Sequence, residues 1–194
     1  PALEQPVQVD GRPLVDDQLV LAQDPLQFLA ESLRAWIQLE SFPLDVAQAA
    51  TAMHHLSDHG LLIHAYLIYG VPSQTLQETV DALERVRQLF AAGCLHSAYW
   101  HRLAATVHSD IGRRPEAYGI AARPPPLEAF ARNEVPFTDP VGDDPGPLAA
   151  GLRKALYNYM LGIGLDIPIG DWFDFPVPKP KVPRRYIESI IRQG

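Results

Sequence analysis

Seven histidines and one cysteine carry most of the metal and nucleophile chemistry open to this 194-residue chain, and their spacing narrows it quickly. His55 and His59 stand at the i, i+4 spacing of two ligands on one helical face. No glutamate lies between them in an HExxH arrangement, and His59 adjoins Gly60 at an expected helix end, where an imidazolium favours the dipole. His54 and His55 read as solvated positions beside an apolar stripe. Cys94 follows Gly93 and precedes an expected strand, the place of a buried inert thiol rather than a nucleophile. His108, Ser109 and Asp110 supply the residue types of a catalytic triad, but neighbouring positions cannot relay a proton among themselves, and no GxSxG elbow exposes a serine. Gly162-Ile163-Gly164 follows an expected helix rather than a strand, so it signals a helix stop and not a dinucleotide loop. The strongest constellation is LLIHAYLIYGVPSQT, residues 61–75: an apolar run, a turn shaped by Gly70 and Pro72, and a helix start, the arrangement of a turn that presents backbone to a phosphate or cofactor.

Composition bounds the function classes. Sixteen basic against 23 acidic residues give a net charge of −7, which disfavours nucleic acid, since its phosphate backbone is held chiefly by Lys and Arg. The adjacent Arg184 and Arg185 read as a solvated helix start. A single cysteine excludes an intrachain disulfide and a cysteine-based zinc site and points to a reducing compartment. The longest apolar run, Leu61 to Tyr69, is interrupted by His64 and falls short of the roughly 20 residues that span a bilayer. No basic-then-apolar targeting signal is seen at the amino end. The expectation is a soluble, cytoplasmic chain, and its start at Pro1 rather than Met suggests a trimmed or excised piece.

The elements that must position these residues follow from periodicity and punctuation. Residues 7–15 hold a hairpin candidate with Asp10-Gly11 as its turn, confined to a sheet edge by Pro13. Asp24-Pro25 opens a helix over about 25–40, closed by Ser41-Phe42-Pro43. A second helix spans about 45–58, with Val46, Ala49, Ala50, Met53 and Leu56 on one face and Gly60 as its stop. Leu61 to Tyr69 reads as a strand buried on both faces. Thr75 with Glu78 forms a capping box for a helix over about 75–92, whose buried face carries Val80, Leu83, Val86, Leu89 and Phe90. A strand at about Ser97 to Leu103 completes a crossover, which implies parallel strands joined right-handedly. Prolines 115, 124–126, 136, 140, 145 and 147 punctuate a semi-rigid excursion beyond Gly112. Helices follow at about 147–161 and 184–192, joined by the aromatic strap Asp171-Trp172-Phe173-Asp174-Phe175-Pro176. Tyr157, Tyr159, Met160, Trp172, Phe173 and Phe175 read as core and strap packing, and Pro178-Lys179-Pro180-Lys181 as an extended surface tail.

Three segments in this order, HGLLIHAYLIYGVPSQTLQETVDALERVRQLF, SAYWHRLAATVHSDIG and LRKALYNYMLGIGLD, resemble the carboxy-terminal half of radical S-adenosylmethionine (SAM) barrel proteins, especially the group with an upstream cobalamin-binding domain. The resemblance covers about residues 46–194. It implies an α/β fold: a partial (β/α) barrel, TIM-barrel-like in its parallel strands, with a β/α half-barrel over 46–112, then a proline-rich irregular segment and carboxy-terminal helices over 113–194. Residues 1–45 form an amino-terminal segment of unknown affiliation. By resemblance Ile68 leans on the adenine of SAM, Gly70 and Pro72 shape the turn after the fifth strand, and Leu103 stands at the mouth of the sixth. Tyr99, His101 and His108 become walls of the substrate side. Where the family often has a Gly two residues before the Ile, and an acid after the turn, this chain has Tyr66 and Gln74.

The family's CxxxCxxC loop, which holds a 4Fe-4S cluster, is absent, as are the motifs of its first, second and fourth strands. Cluster ligation is then expected in a missing amino-terminal half or a second protein chain, with SAM as cofactor and cobalamin in the parent protein. The parent would cleave SAM reductively to a 5′-deoxyadenosyl radical, so this chain alone is not catalytic. The alternative is a non-catalytic interaction or oligomerisation domain, whose open strands pair with another chain or a second copy.

Overall fold

The computed structural model describes residues 45–123 and 133–193 and the strand residues 8–9 and 12–13, and the chain divides into two units, Pro1–Asp45 and Val46–Gly194. In the first unit, β1 (Gln8–Val9) pairs antiparallel with β2 (Arg12–Pro13), Val9 opposite Arg12, as the hairpin reading expects. Asp10-Gly11, the expected helix over 25–40 and the Pro124–Pro126 run lie outside the described residues.

The second unit is mixed α/β. Helix α1 (Val46–Asp58) leads to strand β3 (His64–Tyr69), helix α2 (Leu76–Ala91) and strand β4 (Ser97–Arg102). Strands β3 and β4 are parallel, in register from His64 opposite Ser97 to Tyr69 opposite Arg102, with α2 as the crossover. Both ends of α2 carry local signals. At the start of α2, the Thr75 hydroxyl accepts from the Glu78 amide at 3.2 Å while the Glu78 carboxylate accepts from the Thr75 amide at 2.8 Å, the reciprocal box read from sequence. At its end, Gly93 N–H reaches Phe90 O and Cys94 N–H reaches Leu89 O, a Schellman pair that needs the φ of +70° which glycine adopts freely. Gly60 and Gly162 close α1 and the later helix with the same two bonds.

Beyond β4 the excursion is built from short pieces: helix α3 (Asp110–Arg113), a 3-10 turn at Pro115–Tyr118, and β5 (Ala121–Ala122) paired antiparallel with β6 (Phe137–Thr138). Helix α4 (Leu148–Met160) then packs on β4 and α2, and α5 (Tyr186–Ile191) packs on α1 and α2. The core lies between these helices and one sheet face: Val80, Leu83, Val86, Leu89 and Phe90 of α2 are all buried, with Leu152, Ala155 and Tyr159 of α4 and Ile187 of α5. Tyr159 meets Trp172 edge-on at 5.6 Å, and the strap's Trp172 and Phe173 are buried, so these aromatics are core packing, while Tyr157, expected with them, is 61% exposed on α4.

Two expectations are corrected. In α1 only Ala50 of the expected face is buried, and Leu56 is 45% exposed. Strand β3 is not buried on both faces: Tyr66 and Ile68 are 60% and 54% exposed while Tyr69 is buried. For the strand the physical reason is the size of the sheet. Sheet order is β3-β4 alone, so among the described residues the sheet does not close into a barrel and nothing covers the face opposite the helices. No helix among the described residues is long and apolar enough to cross a membrane.

The contact of α4 with the strap is tight enough to reverse an ordinary preference. Replacing a helical glycine by alanine normally stabilises by about 0.5–1 kcal/mol. A Cβ at Gly151 would sit 2.3 Å from Phe173 Cδ1, and overpacking of this kind costs about 1–3 kcal/mol. Gly151→Ala is therefore expected to lower stability in urea unfolding; a rise would mean the strap is loosely held.

Candidate functional site

Parallel strands place their turns at one end, and Ile68, Gly70, Pro72, His101 and Leu103 lie at or beside it. On the open face of the sheet, Ile68 and His101 are register partners, as are Tyr66 and Tyr99. Tyr99 and His101 rings lie 4.5 Å apart, Tyr66 and His101 5.4 Å, and Tyr66 meets His64 edge-on at 4.9 Å. His64 Nδ1 and Ser97 Oγ are 2.7 Å apart at the far end of the same face. The result is an exposed aromatic and imidazole patch with one aliphatic side chain, Ile68. Leu103 extends the ladder, its amide donating to Tyr69 O at 2.8 Å. His108 is exposed in the loop before α3 and makes no ring contact or hydrogen bond with the patch among the described residues. Ser109 caps α3 through the Gly112 amide, and Asp110 is held by Arg114 and by the Tyr118 hydroxyl at 2.6 Å, so no triad forms.

The turn after β3 is organised by carboxylate and amide oxygens. Gly70 has φ +74°, and a Cβ there would meet Pro145 Cγ at 3.0 Å. Its bare Cα therefore admits Pro145, where the sequence reading expects the approach of a ligand. Gln74 Oε1 accepts from the Gly70 amide at 2.7 Å and from Val71 at 3.2 Å, taking with an amide oxygen the position where the resemblance expects an acid. Pro72 is half-buried, its carbonyl accepting from the Ser73 hydroxyl. Ser73 itself has φ +64°, an uncommon conformation for a residue with a Cβ. It is fixed from outside: Asp139 Oδ2 accepts from the Ser73 amide at 2.6 Å, and Asp143 Oδ2 accepts from the Leu76 amide at 2.6 Å at the start of α2. The helix N-terminus is thus filled by the chain's own carboxylates, satisfying amides that would otherwise attract an anion.

Asp139 and Asp143 escape a sequence reading because their partners lie 66 and 67 positions away. The local signal in Asp139-Pro140-Val141-Gly142 is an Asx turn, and Asp139 Oδ1 does accept from Val141 and Gly142 at 3.0 Å.

The metal and thiol candidates separate from the site. Among the described residues no group of three or more His, Cys, Asp or Glu is placed to hold a metal ion. His59 Nδ1 is engaged with the His55 carbonyl at 2.7 Å, and His54 faces Asp58 at 3.4 Å. Cys94 is fully buried before β4, at the opposite end of the strands, and burial, with the charge of Asp58, pushes its thiol above the usual value. A nucleophilic cysteine needs the opposite shift.

Compared with protein-family models, curated proteins and solved structures, the chain gives no significant match to any of them.

The amides of Gly142, and then of Val141 and Ser73, hold the Asp139 carboxyl below its usual range. Because its folded pKa is depressed, the carboxylate adds stability above the unfolded value of about 3.9, and that stability is lost as pH falls through the folded value. Urea midpoints measured from neutral pH downward should fall less steeply in Asp139→Asn than in the wild type. Identical acid limbs would detach this carboxylate from the stability of the turn.

Proposed function

We propose that residues 46–194 form the carboxy-terminal part of a radical SAM-type partial (β/α) barrel, as a fragment or degenerate member of that superfamily, supplying the adenine side and substrate side of a SAM cavity. The observation that supports this most is the pairing of Ile68 with His101 on one open face, at the ends of two parallel strands joined through a helix. Ligand sites of parallel β/α barrels gather on such carboxy ends. Ile68, 54% exposed, offers apolar surface for a flat base, and Tyr99 and His101 beside it offer hydrogen-bonding edges toward a substrate. Gly70, Pro72 and Leu103 shape the mouth, and His108 stands on the loop beyond it, apart from the patch.

A 4Fe-4S cluster does not fit this chain. Three thiolates are required, and Cys94, the one present, is buried at the wrong end of the strands. Ligation of the cluster, and with it any radical chemistry, falls in this reading to a missing amino-terminal half or a second protein chain, and any cobalamin belongs to the parent protein. The chain by itself binds rather than catalyses.

A second reading, a non-catalytic interaction or oligomerisation domain, is favoured by the same open face. Tyr66, Ile68 and Tyr99 are each more than half exposed on a two-stranded sheet, where parallel sheets ordinarily have both faces covered.

Calorimetric titration with S-adenosylhomocysteine separates the two. The first reading expects saturable heat that weakens about tenfold or more in Ile68→Asp, since one apolar side chain contributes about 1.5–3 kcal/mol. Absence of heat from the folded wild-type chain would sink the first reading and leave the second.

A further inference from the structure

A groove of about 470 Å3 runs beside β4. Tyr99 and His101 from one face of the strand line it, and so do Ala98, Trp100 and Arg102 from the other. Tyr69 of β3, opposite Arg102, lines it as well, so the groove starts beneath the helix-covered face and runs out along the edge of β4 away from β3. Its other wall is one face of α4, with Ala149, Arg153, Leu156 and Met160 recurring at helical spacing over three turns.

The backbone along this edge is unspent. Ser97 N–H reaches Ile63 O and Leu103 N–H reaches Tyr69 O, so the odd-numbered residues of β4 pair with β3. Strand alternation then turns the N–H and C=O groups of Ala98, Trp100 and Arg102 toward the groove, and none of them has a hydrogen-bond partner there among the described residues. The Trp100 indole N–H is also buried without a partner among the described residues. The charge is one-sided: Arg102 and Arg153 line the groove, no carboxylate does, and neither arginine is in an ion pair among the described residues. In a chain of net charge −7 this is a local reversal of sign.

We propose that this edge receives an extended acidic peptide segment from a partner, added as a further strand beside β4 with α4 as the second wall. Edge addition of this type takes its affinity from main-chain hydrogen bonds and its selectivity from alternate side chains. Three unpaired residues at strand spacing match a peptide backbone, which a small anion held by the arginines alone would leave unused. Carboxylates on the segment meet Arg102 and Arg153, and the Trp100 N–H donates to an acceptor laid along the groove. The inference does not depend on SAM binding: its hydrogen bonds and charges come from the edge of β4 and from α4, with Tyr99 and His101 bordering both surfaces.

The test is fluorescence anisotropy of the full chain with a fluorescein-labelled peptide of alternating Glu and Val. Saturable binding is expected, weakened tenfold or more by Arg153→Glu at unchanged melting temperature, weakened by added salt, and lost when the peptide amides facing β4 are N-methylated. The N-methylated peptide is measured on the wild-type chain, so the result does not hang on a variant that folds. Equal binding of the N-methylated peptide or of a Lys-Val peptide overturns the proposal, as does displacement by free glutamate at matched concentration. Self-association in sedimentation that Arg153→Glu abolishes would assign the edge to a second copy, and no anisotropy change with folded chain would remove it altogether.

Discussion

Helix α2 carries two stripes, and the second unit is assembled around both. One is apolar and faces the sheet and α4. The other is polar: Gln77, Asp81, Glu84 and Gln88 recur at i, i+4, i+7 and i+11, and each meets the extended chain that runs from α4 to α5 or the arginine that holds it. Gln77 donates to Lys179 O, Asp81 accepts from the Lys181 amide, and Gln88 both donates to Pro183 O and accepts from the Ile187 amide. Glu84 takes a bidentate pair from Arg87, whose remaining nitrogen donates to Leu165 O at 2.6 Å. A segment without regular structure has no ladder of its own to satisfy its backbone, and an unpaired buried amide or carbonyl costs about 1–3 kcal/mol. The polar stripe supplies those partners from side chains. Glu84 and Gln88 can therefore be buried at 6% and 5% exposure without being orphaned.

That arrangement leaves the sheet lopsided. All covering elements described lie on one face, drawn there by α2 and α4, while the other presents Tyr66, Ile68, Tyr99 and His101. Among the described residues both edges also keep unpaired backbone. An open parallel sheet of two strands has little cooperativity of its own, so its order here rests on the helices behind it. An occupant of the open face or of the β4 edge would add to a framework already held from behind.

The turn between β3 and α2 shows the same dependence on distant chain. Its local parts are visible in sequence, Gly70 and Pro72 for the bend and Thr75 with Glu78 for the helix start. Its tension is held from elsewhere. The left-handed Ser73 is tied to Asp139, the first amide of α2 to Asp143, and Gly70 is packed against Pro145. The loop at 139–145 thus acts as a brace on the mouth of the strands, and the proline-rich excursion that carries it serves to return the chain to this point.

Periodicity and caps made much of the second unit legible. The boundaries of α2, α4 and β4, the carboxy end of β3, the glycine stops and the buried stripe of α2 follow from residue types a few positions apart, because short-range sterics and amide satisfaction decide them; the start of β3 does not, since the apolar run begins at Leu61 and the strand at His64. The gathering of Ile68, Tyr99 and His101 also follows from the sequence, once a crossover between parallel strands is read. What sequence alone could not decide is which face of the sheet would be covered. A nine-residue apolar run such as Leu61 to Tyr69 has the same composition whether both faces are buried or one. Nor could it pair Asp139 with Ser73 or Gln88 with Ile187, since those bonds join residues 66 and 99 positions apart. Local chemistry fixed the elements of this protein; their exposure and their braces were decided by which distant backbone groups needed partners and where the tertiary structure could offer them.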